Sequence, residues 1–555
     1  MNIDIRFLLD KKWSSMNDRI VTLLVLLFFS TAIGAQQEEL EGSQVEIIKN
    51  FEATIEDAQM VKFNPSVPYP VPINRTYKYE VTVVQLPLKY PEPVIQALSM
   101  KKDDPFDAKK FYLKGGYGSL ANPFANIRYA HHSSDLYAFD VAVDHFSLDN
   151  SSRQDFQKMC NTTVGLNTKF RIGENMHLHA GGDFMTDRRY LYFIFRDFST
   201  IADEDELKRN HHRLGYRVGI SNIEHTASGV NYSLFLNQHL TTINNPDTRE
   251  LNTQLTGYLE KRNSDKINIE IPFSAQFTNL KPQEGRFNFY SFQLKPRINF
   301  HTGRFQATVG GNLLTDKAVT SPFPEVQLAM SVASNYFQLL MGVDQVHHTN
   351  NLAMSLQACP WISGRLDTIL NTVAQNYYGG IRGNLSFVNY EAKAGFRNFE
   401  NMSLFRSDGE GGLVNILYDR VKSVFITGNI DFAYSDKLSL GGEATKHFFN
   451  AENEARIWGI PSMELRAYAS FKPFGSSLEF KGELFFKDRN FTLNNIGEEV
   501  RLNNLVELNA AAGYTFNKTI GLFVEANNIL NVKYQRWYGF PTVGINFAAG
   551  ITMSL

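Results

Sequence analysis

The chain has 555 residues, of which 43% are hydrophobic and 13% aromatic, and its formal net charge at pH 7 is -2. This near-neutral charge, without basic clusters, excludes the concentrated positive surface that nucleic-acid binding requires. Cys160 and Cys359 are its two cysteines, too few for a disulfide scaffold or a cysteine-rich metal site, and we expect both to be unpaired.

The first residues have the layout of a secretory signal. Basic residues precede an apolar run over Ile20–Phe29, and small residues end at Ala35. The run is shorter than the roughly 18 to 20 residues that a membrane-spanning helix needs, and no later apolar run reaches that length. The sequence therefore excludes a helical membrane protein and predicts a cleaved signal peptide over residues 1–35, with Met1 or Met16 as the true start.

Residues 36–109 are rich in proline. Proline favours extended or polyproline conformations and disfavours a folded sheet. We therefore expect an extended periplasmic or lumenal segment here. The prolines concerned are Pro65, Pro68, Pro70, Pro72, Pro87, Pro91 and Pro93.

From residue 110 to Leu555 short alternating segments are separated by turn residues. In the segment 477–487 the apolar side chains fall on one face and the charged ones on the other, because successive side chains of a strand point to opposite faces. The apolar set is Leu478, Phe480, Leu484 and Phe486, and the charged set is Glu479, Lys481, Glu483 and Lys487. Alternation alone fits a soluble sandwich and a membrane barrel equally well.

The connections favour the barrel. Short polar turns alternate with longer connections, such as 348–375, 401–420 and 489–503, as in outer-membrane barrels with short periplasmic turns and long external loops. Counting segments gives about 22 strands, with both ends on the periplasmic side. Lipid offers no hydrogen-bond partner to a free strand edge, so we predict an all-β, closed antiparallel barrel over residues 110–555, with a polar lumen of mixed charge.

The C-terminal run contains Val524 to Leu530 (VEANNIL), then Lys533-Tyr534 and Pro541, and it ends in an alternating segment. Together with the strand count, this run resembles the barrel of TonB-dependent receptors. It implies a receptor or transporter of the outer membrane, which would contact the lipid bilayer, the barrel assembly machinery and a TonB-type energy transducer.

The N-terminal side departs from that family. Only about 74 residues lie between Gln36 and Lys109, too few for a full plug domain, and Gln44–Ile47 is a weak match to a TonB box. A barrel of this size without a plug would leave a wide aqueous opening. We therefore expect the proline-rich segment, inward-folded loops or a partner protein to fill the lumen.

Two groups of side chains are candidate sites. His177 and His179 share the lumen face with Asp183, so that a metal site is one hypothesis, although polar lumen faces often carry histidine. Trp361, Trp458 and Trp537 fall in predicted external loops. There they would stack on a ligand such as a sugar, or anchor the barrel at the membrane interface.

No nucleophile elbow, phosphate-binding loop, dinucleotide fingerprint or zinc-protease signature is present in the required context, so we expect neither an enzyme nor a bound cofactor. The leading prediction is a receptor or transporter-like barrel whose ligand is unknown. The alternative is a barrel that does not transport and serves as a scaffold for surface or periplasmic partner proteins. A membrane-embedded hydrolase is a third class.

Overall fold

Antiparallel strands form 73% of the described chain. The computed structural model describes residues 109–555 except 134–135, 196–202, 223–228, 246, 284, 317–319, 335, 364–365, 367–368 and 409–411. The predicted signal peptide, the proline-rich segment up to residue 108 and Gln44–Ile47 lie outside these residues.

The strands form one antiparallel sheet of 23 segments. Two of these segments are parts of one strand, β10, which gives 22 strands. Strands β1 to β11 are Phe111–Gly118, Asn122–Ser133, Tyr137–Asp149, Lys158–Ile172, Met176–Tyr190, Lys208–Asn222, Val230–Ile243, Thr248–Ser264, Ile267–Lys281, Phe287–Leu294 with Arg297–His301, and Phe305–Asp316. Strands β12 to β22 are Thr320–Ala333, Phe337–His348, Thr372–Leu385, Val388–Ser407, Val414–Ser435, Leu438–Ala451, Met463–Phe471, Leu478–Lys487, Leu505–Thr515, Ile520–Asn527 and Asn546–Ser554.

The sheet closes on itself. Strand β1 pairs with β22 in antiparallel register, with Leu113 opposite Met553 and Gly118 opposite Ala548. At the edge of this seam the Phe111 amide, at the start of β1, donates to the Leu555 carbonyl at 3.0 Å. Closure satisfies the strand edges that lipid would leave without partners, so the prediction of a closed barrel is confirmed.

The two faces of the wall differ in chemistry. Leu522 and Val524 on β21 point outward and are exposed, whereas Glu525 points inward and pairs with Lys114 across the seam. Other ion pairs also cross neighbouring strands on the inner face, as predicted for a lumen of mixed charge. They include Arg128–Asp144, Arg213–Asp183, Arg297–Glu270 and Arg466–Glu483.

The two ends of the barrel differ as predicted. The end at which β1 begins and β22 ends has short turns, such as 173–175 between β4 and β5 and 386–387 between β14 and β15. The other end carries the long connections 191–207, 349–371, 488–504 and 528–545. By the rule for bacterial barrels, this second end is the outer end.

One predicted loop is largely strand. The prediction of a connection over 401–420 is wrong, because β15 extends to Ser407 and β16 begins at Val414. A bulge at Asn401, whose φ is 55°, shifts the register, and pairing then resumes from Met402 opposite Asp419. Buried Met402 and Leu404 pack in a hydrophobic cluster that supports this extension of the wall.

Helix is rare in the described residues. The α-helix α1 spans Leu352–Ala358 in the connection between β13 and β14, and the Asn351 side chain caps it by accepting from the Met354 amide. Within the described part of the chain, no helix has the length and apolar character needed to cross a membrane.

Candidate functional site at the outer mouth

Three long connections meet at the outer end of the barrel. They follow β5, β13 and β21, so they leave the ring of 22 strands at nearly equal intervals of eight, eight and six strands. Loops that start so far apart reach one another only by folding inward across the mouth.

An aromatic cluster joins the three connections. Tyr192 comes from the first, Trp361 from the second and Phe540 from the third. The rings of Trp361 and Phe540 are stacked with centroids 4.5 Å apart, and the Tyr192 ring meets Phe540 edge-on at 5.3 Å and Trp361 at 5.5 Å. Burial of a ring such as that of Phe540 stabilises the packed arrangement by roughly 1.5 to 3 kcal/mol.

Side chains at the outer ends of the strands complete this hydrophobic core. Ile243, Leu280 and Phe289 are buried on the inner face of the wall and belong to the same cluster as the loop residues. The loops therefore fold into the outer end of the lumen. We call this cluster the cap. Its buried members are Leu191, Phe193, Leu207, Ile243, Leu280, Phe289, Leu352, Leu356, Cys359, Trp361, Ile362, Leu366, Ile369, Val414, Trp537 and Phe540.

Backbone hydrogen bonds tie the cap together. The Ile194 amide donates to the Gly539 carbonyl at 3.0 Å, which links the first connection to the third. The Val414 amide donates to the Trp361 carbonyl at 2.8 Å, which links the start of β16 to the second. Each bond satisfies a backbone group that the cap withdraws from water.

Gly539 makes room for a cap ring. Its φ is 79°, and a Cβ there would lie 2.1 Å from the Phe193 ring. A side chain at this position would be strained in its backbone and would clash. The sharp turn at Gly539 thus lets the third connection lie directly against Phe193.

Two buried charged groups hold the second connection to the wall. Glu250 on β8 accepts from the Leu352 amide at 2.8 Å, and Arg209 on β6 donates from Nη2 to the Ile362 carbonyl at 2.8 Å. Their exposed fractions are 1% and 5%. Neither residue is among the candidates predicted from the sequence. The sequence feature that could have identified them is a charged residue at an inward-facing position near the outer end of a strand.

The three predicted tryptophans are all buried. Trp361 and Trp537 belong to the cap, and Trp537 lies 5.6 Å from the Phe405 ring. Trp458 belongs to the cluster around Met402, and its indole N–H donates to Glu454 at 2.8 Å. In this conformation their rings face neither lipid nor water, so the predicted stacking on a ligand would require the loops to open.

The predicted metal-site residues share the inner face of β5, as expected. The rings of His177 and His179 lie 6.2 Å apart, and His179 contacts the Ser221 hydroxyl at 2.9 Å. On this face Gly181 separates His179 from Asp183, and Asp183 forms an ion pair with Arg213 at 3.0 Å. Among the described residues no three metal-binding side chains gather, so a metal site here stays a prediction.

A groove runs along the inner wall between β15 and β19. Its volume is about 610 Å³, within the range of small-molecule sites. Phe399, Phe449 and Phe485 supply apolar surface, and Glu464 and Lys487 form an ion pair at 3.0 Å on its wall. The groove lies below the 452–462 connection, so it offers mixed aromatic and ionic contacts to a solute inside the lumen.

The cysteines are free, as predicted. Cys160 lies on β4 and is half-buried, whereas Cys359 follows α1 and is fully buried in the cap. Burial raises the pKa of the Cys359 thiol to about 12, although the nearby charges of Arg209 and Arg536 act in the opposite direction.

No protein-family model and no curated protein sequence matches the chain. Solved structures do match in fold. The FrpB iron transporter from Neisseria meningitidis has a TM-score of 0.64 at 10% sequence identity, and the match covers 81% of this chain and 82% of that chain. The siderophore receptor PirA from Acinetobacter baumannii has a TM-score of 0.62 at 8% identity, covering 80% of each chain.

The ferric enterobactin receptor PfeA from Pseudomonas aeruginosa, in a mutant form, matches with a TM-score of 0.61 at 10% identity, again over 80% of both chains. At such low identities the likeness establishes the fold. The match covers the closed barrel of 22 strands, with its apolar exterior and charged lumen, that the sequence predicted. The chain is therefore a closed β-barrel with the fold of the TonB-dependent outer-membrane receptors.

Proposed function

We propose that the chain is an outer-membrane receptor that takes up a ligand through the outer mouth of its barrel, and that the cap is the closed state of this entrance. The observation that carries the proposal is the convergence of Tyr192, Trp361 and Phe540 from three separate connections. The neighbours in fold include an iron transporter and siderophore receptors, which supports an uptake role.

The chemistry of the wall below the cap fits passage of a polar solute. Paired charges such as Arg466–Glu483 and Lys487–Glu464 line the lumen. The groove of about 610 Å³ lies on the same wall. A solute that passes the cap would therefore meet polar and aromatic side chains rather than a bare apolar channel.

Planar-bilayer conductance of the purified full-length barrel tests the closed entrance. We expect the wild type to conduct little and the double variant Trp361→Ala, Phe540→Ala to open large channels, because the link between the three connections is lost. Phe474→Ala is the control, since Phe474 is 75% exposed in a short turn at the opposite end. Large open channels in the wild type would contradict a closing role of the cap.

The scaffold function makes a different prediction. A pulldown from native outer membrane would then recover a stoichiometric partner protein with both the wild type and the double variant. A receptor would instead show a growth defect on one nutrient when the chain is deleted. A stoichiometric partner without any nutrient phenotype would replace the uptake proposal by the scaffold.

A further inference from the structure

Arg209 is a buried guanidinium with donors that have no partner. It lies near the outer end of β6 on the inner face of the wall, covered by the cap. Its Nη2 donates to the Ile362 carbonyl, but Nε and Nη1 have no hydrogen-bond acceptor among the described residues. A buried charge without a counter-ion is strongly unfavourable, since it has lost its water and gained no opposite charge.

The charges around Arg209 are positive. Arg189 is its direct cross-strand partner on β5, and like charges in that position repel. Asp187, an acid on the same face of β5, is engaged by Arg189, whose Nε lies 3.1 and 3.0 Å from the two carboxylate oxygens. Across the described ranges no carboxylate forms an ion pair with Arg209. The site thus carries a surplus of positive charge.

A second group with an unmet partner lies beside it. His211 is the next inward-facing residue of β6, about 7 Å along the strand. It is buried, and its Nε2 also has no hydrogen-bond partner within the part of the chain that the structure describes. Arg209 and His211 are therefore neighbours on one face of β6, both are buried, and both carry nitrogen atoms without a hydrogen-bond partner among the described residues.

We propose that Arg209, flanked by Arg189 and His211, forms an anion site beneath the cap that binds a carboxylate or phosphate group. Guanidinium is the side chain best suited to bind such oxyanions, through charge-assisted hydrogen bonds. Arg209 also holds the Ile362 carbonyl of the second connection. A bound anion neutralises the buried charge of Arg209, and this arrangement exists only while the second connection covers the site. Anion binding therefore stabilises the closed cap by mass action.

The test uses inorganic phosphate and the buried thiol of Cys359. The full-length barrel with Cys160→Ser keeps Cys359 as its single cysteine, and a maleimide labels it only when the cap opens. We expect phosphate, compared with chloride at equal ionic strength, to slow labelling several-fold and to saturate. In Arg209→Met the labelling rate should not depend on phosphate.

Arg217→Met is the matched control. Arg217 lies on the same strand and face, and its Nε donates to Asn237 at 2.7 Å, so phosphate should still slow labelling in this variant. A phosphate ester the size of a nucleotide separates two sources of the anion. Slowing by phosphate alone supports a small enclosed anion, and slowing by both supports the anionic group of a larger ligand.

The proposal is overturned if phosphate has no saturable effect on the wild type, or if the effect persists unchanged in Arg209→Met. Asp367 belongs to the same connection as Ile362 and lies outside the described residues. If phosphate acts only after Asp367→Asn, that carboxylate is the counter-ion and the proposal is wrong. Should Arg209→Met not fold, the comparison of phosphate with chloride on the wild type still decides.

Discussion

The Trp361 indole and the Phe540 ring lie flat against each other, 4.5 Å apart and within 5° of parallel, although one belongs to the connection after β13 and the other to the connection after β21. This contact spans the mouth of the barrel. The contact joins two parts of the wall that share no strand pairing. Its presence therefore indicates that the entrance is closed.

The stacked pair should be energetically coupled. Trp361→Ala and Phe540→Ala should each destabilise the cap by about 3 to 5 kcal/mol, the usual cost of truncating a buried aromatic residue. The double variant should cost less than the sum, with a coupling of about 0.5 to 1.5 kcal/mol. Hydrogen exchange of the cap amides measures the local opening free energy in all three proteins. Strict additivity would show that the rings do not support each other.

Gly539 should tolerate no side chain. Gly539→Ala adds a methyl group that meets the Phe193 ring, and it also strains a backbone with positive φ. Gly497→Ala is a close control, since Gly497 has a φ of 80° and nothing within 4 Å of the added atom. We expect faster labelling of Cys359 in Gly539→Ala and wild-type labelling in Gly497→Ala. Equal effects would mean that backbone strain alone matters.

The thiol of Cys359 should resist labelling at alkaline pH. Its ordinary pKa is 9.0, and burial raises it to about 12, so in the folded barrel the reactive thiolate does not form as the pH rises past 9. Because this pKa is higher in the folded than in the unfolded chain, the thiol contributes to the free energy of unfolding. The contribution is fully present below pH 9 and is lost as the pH rises through 12. In single-cysteine variants Cys160 serves as the comparison. Labelling of Cys359 at pH 9 that is as fast in the folded barrel as in the unfolded chain would contradict a buried thiol.

The two faces of β21 should respond differently to charge. Val524→Arg places a charge on the lipid-facing side and should cost about 2 to 4 kcal/mol near the midplane. Glu525→Gln removes an inward-facing charge that pairs with Lys114 at a part-exposed position and should cost less than about 1 kcal/mol. The yield of heat-modifiable folded barrel in outer membranes reports both. A normal yield for Val524→Arg would mean that this face does not contact lipid.

The wall of the barrel was predictable from the sequence and the cap was not. Strand alternation, as in Leu478–Lys487, is a local signal with a period of two, and the contrast between short and long connections distinguished the two ends. The extension of β15 and β16 was missed because it depends on a bulge at Asn401 and on packing around Trp458. This pairing depends on contacts between segments, so the alternation of residues within a single segment does not reveal it.

The candidate site shows the same division. The sequence placed Trp361 and Trp537 in external loops, but it could not reveal that both would be buried. Their burial depends on contacts between connections that are far apart in the chain. Arg209 and Glu250 were missed for a related reason, since a single charge on an inward-facing position is ordinary in a polar lumen. Only the inward fold of the second connection covers them.

The distance between two connections across the mouth tests the closed cap most directly. Spin labels at Asp205→Cys and Met354→Cys, both exposed, in a background with Cys160→Ser and Cys359→Ala, report this distance by pulsed dipolar spectroscopy. The account predicts one narrow distribution for the ligand-free barrel, and a longer, broad distribution for the variant with Trp361→Ala and Phe540→Ala. A broad distribution in the ligand-free parent protein, unchanged by the two substitutions, would contradict it.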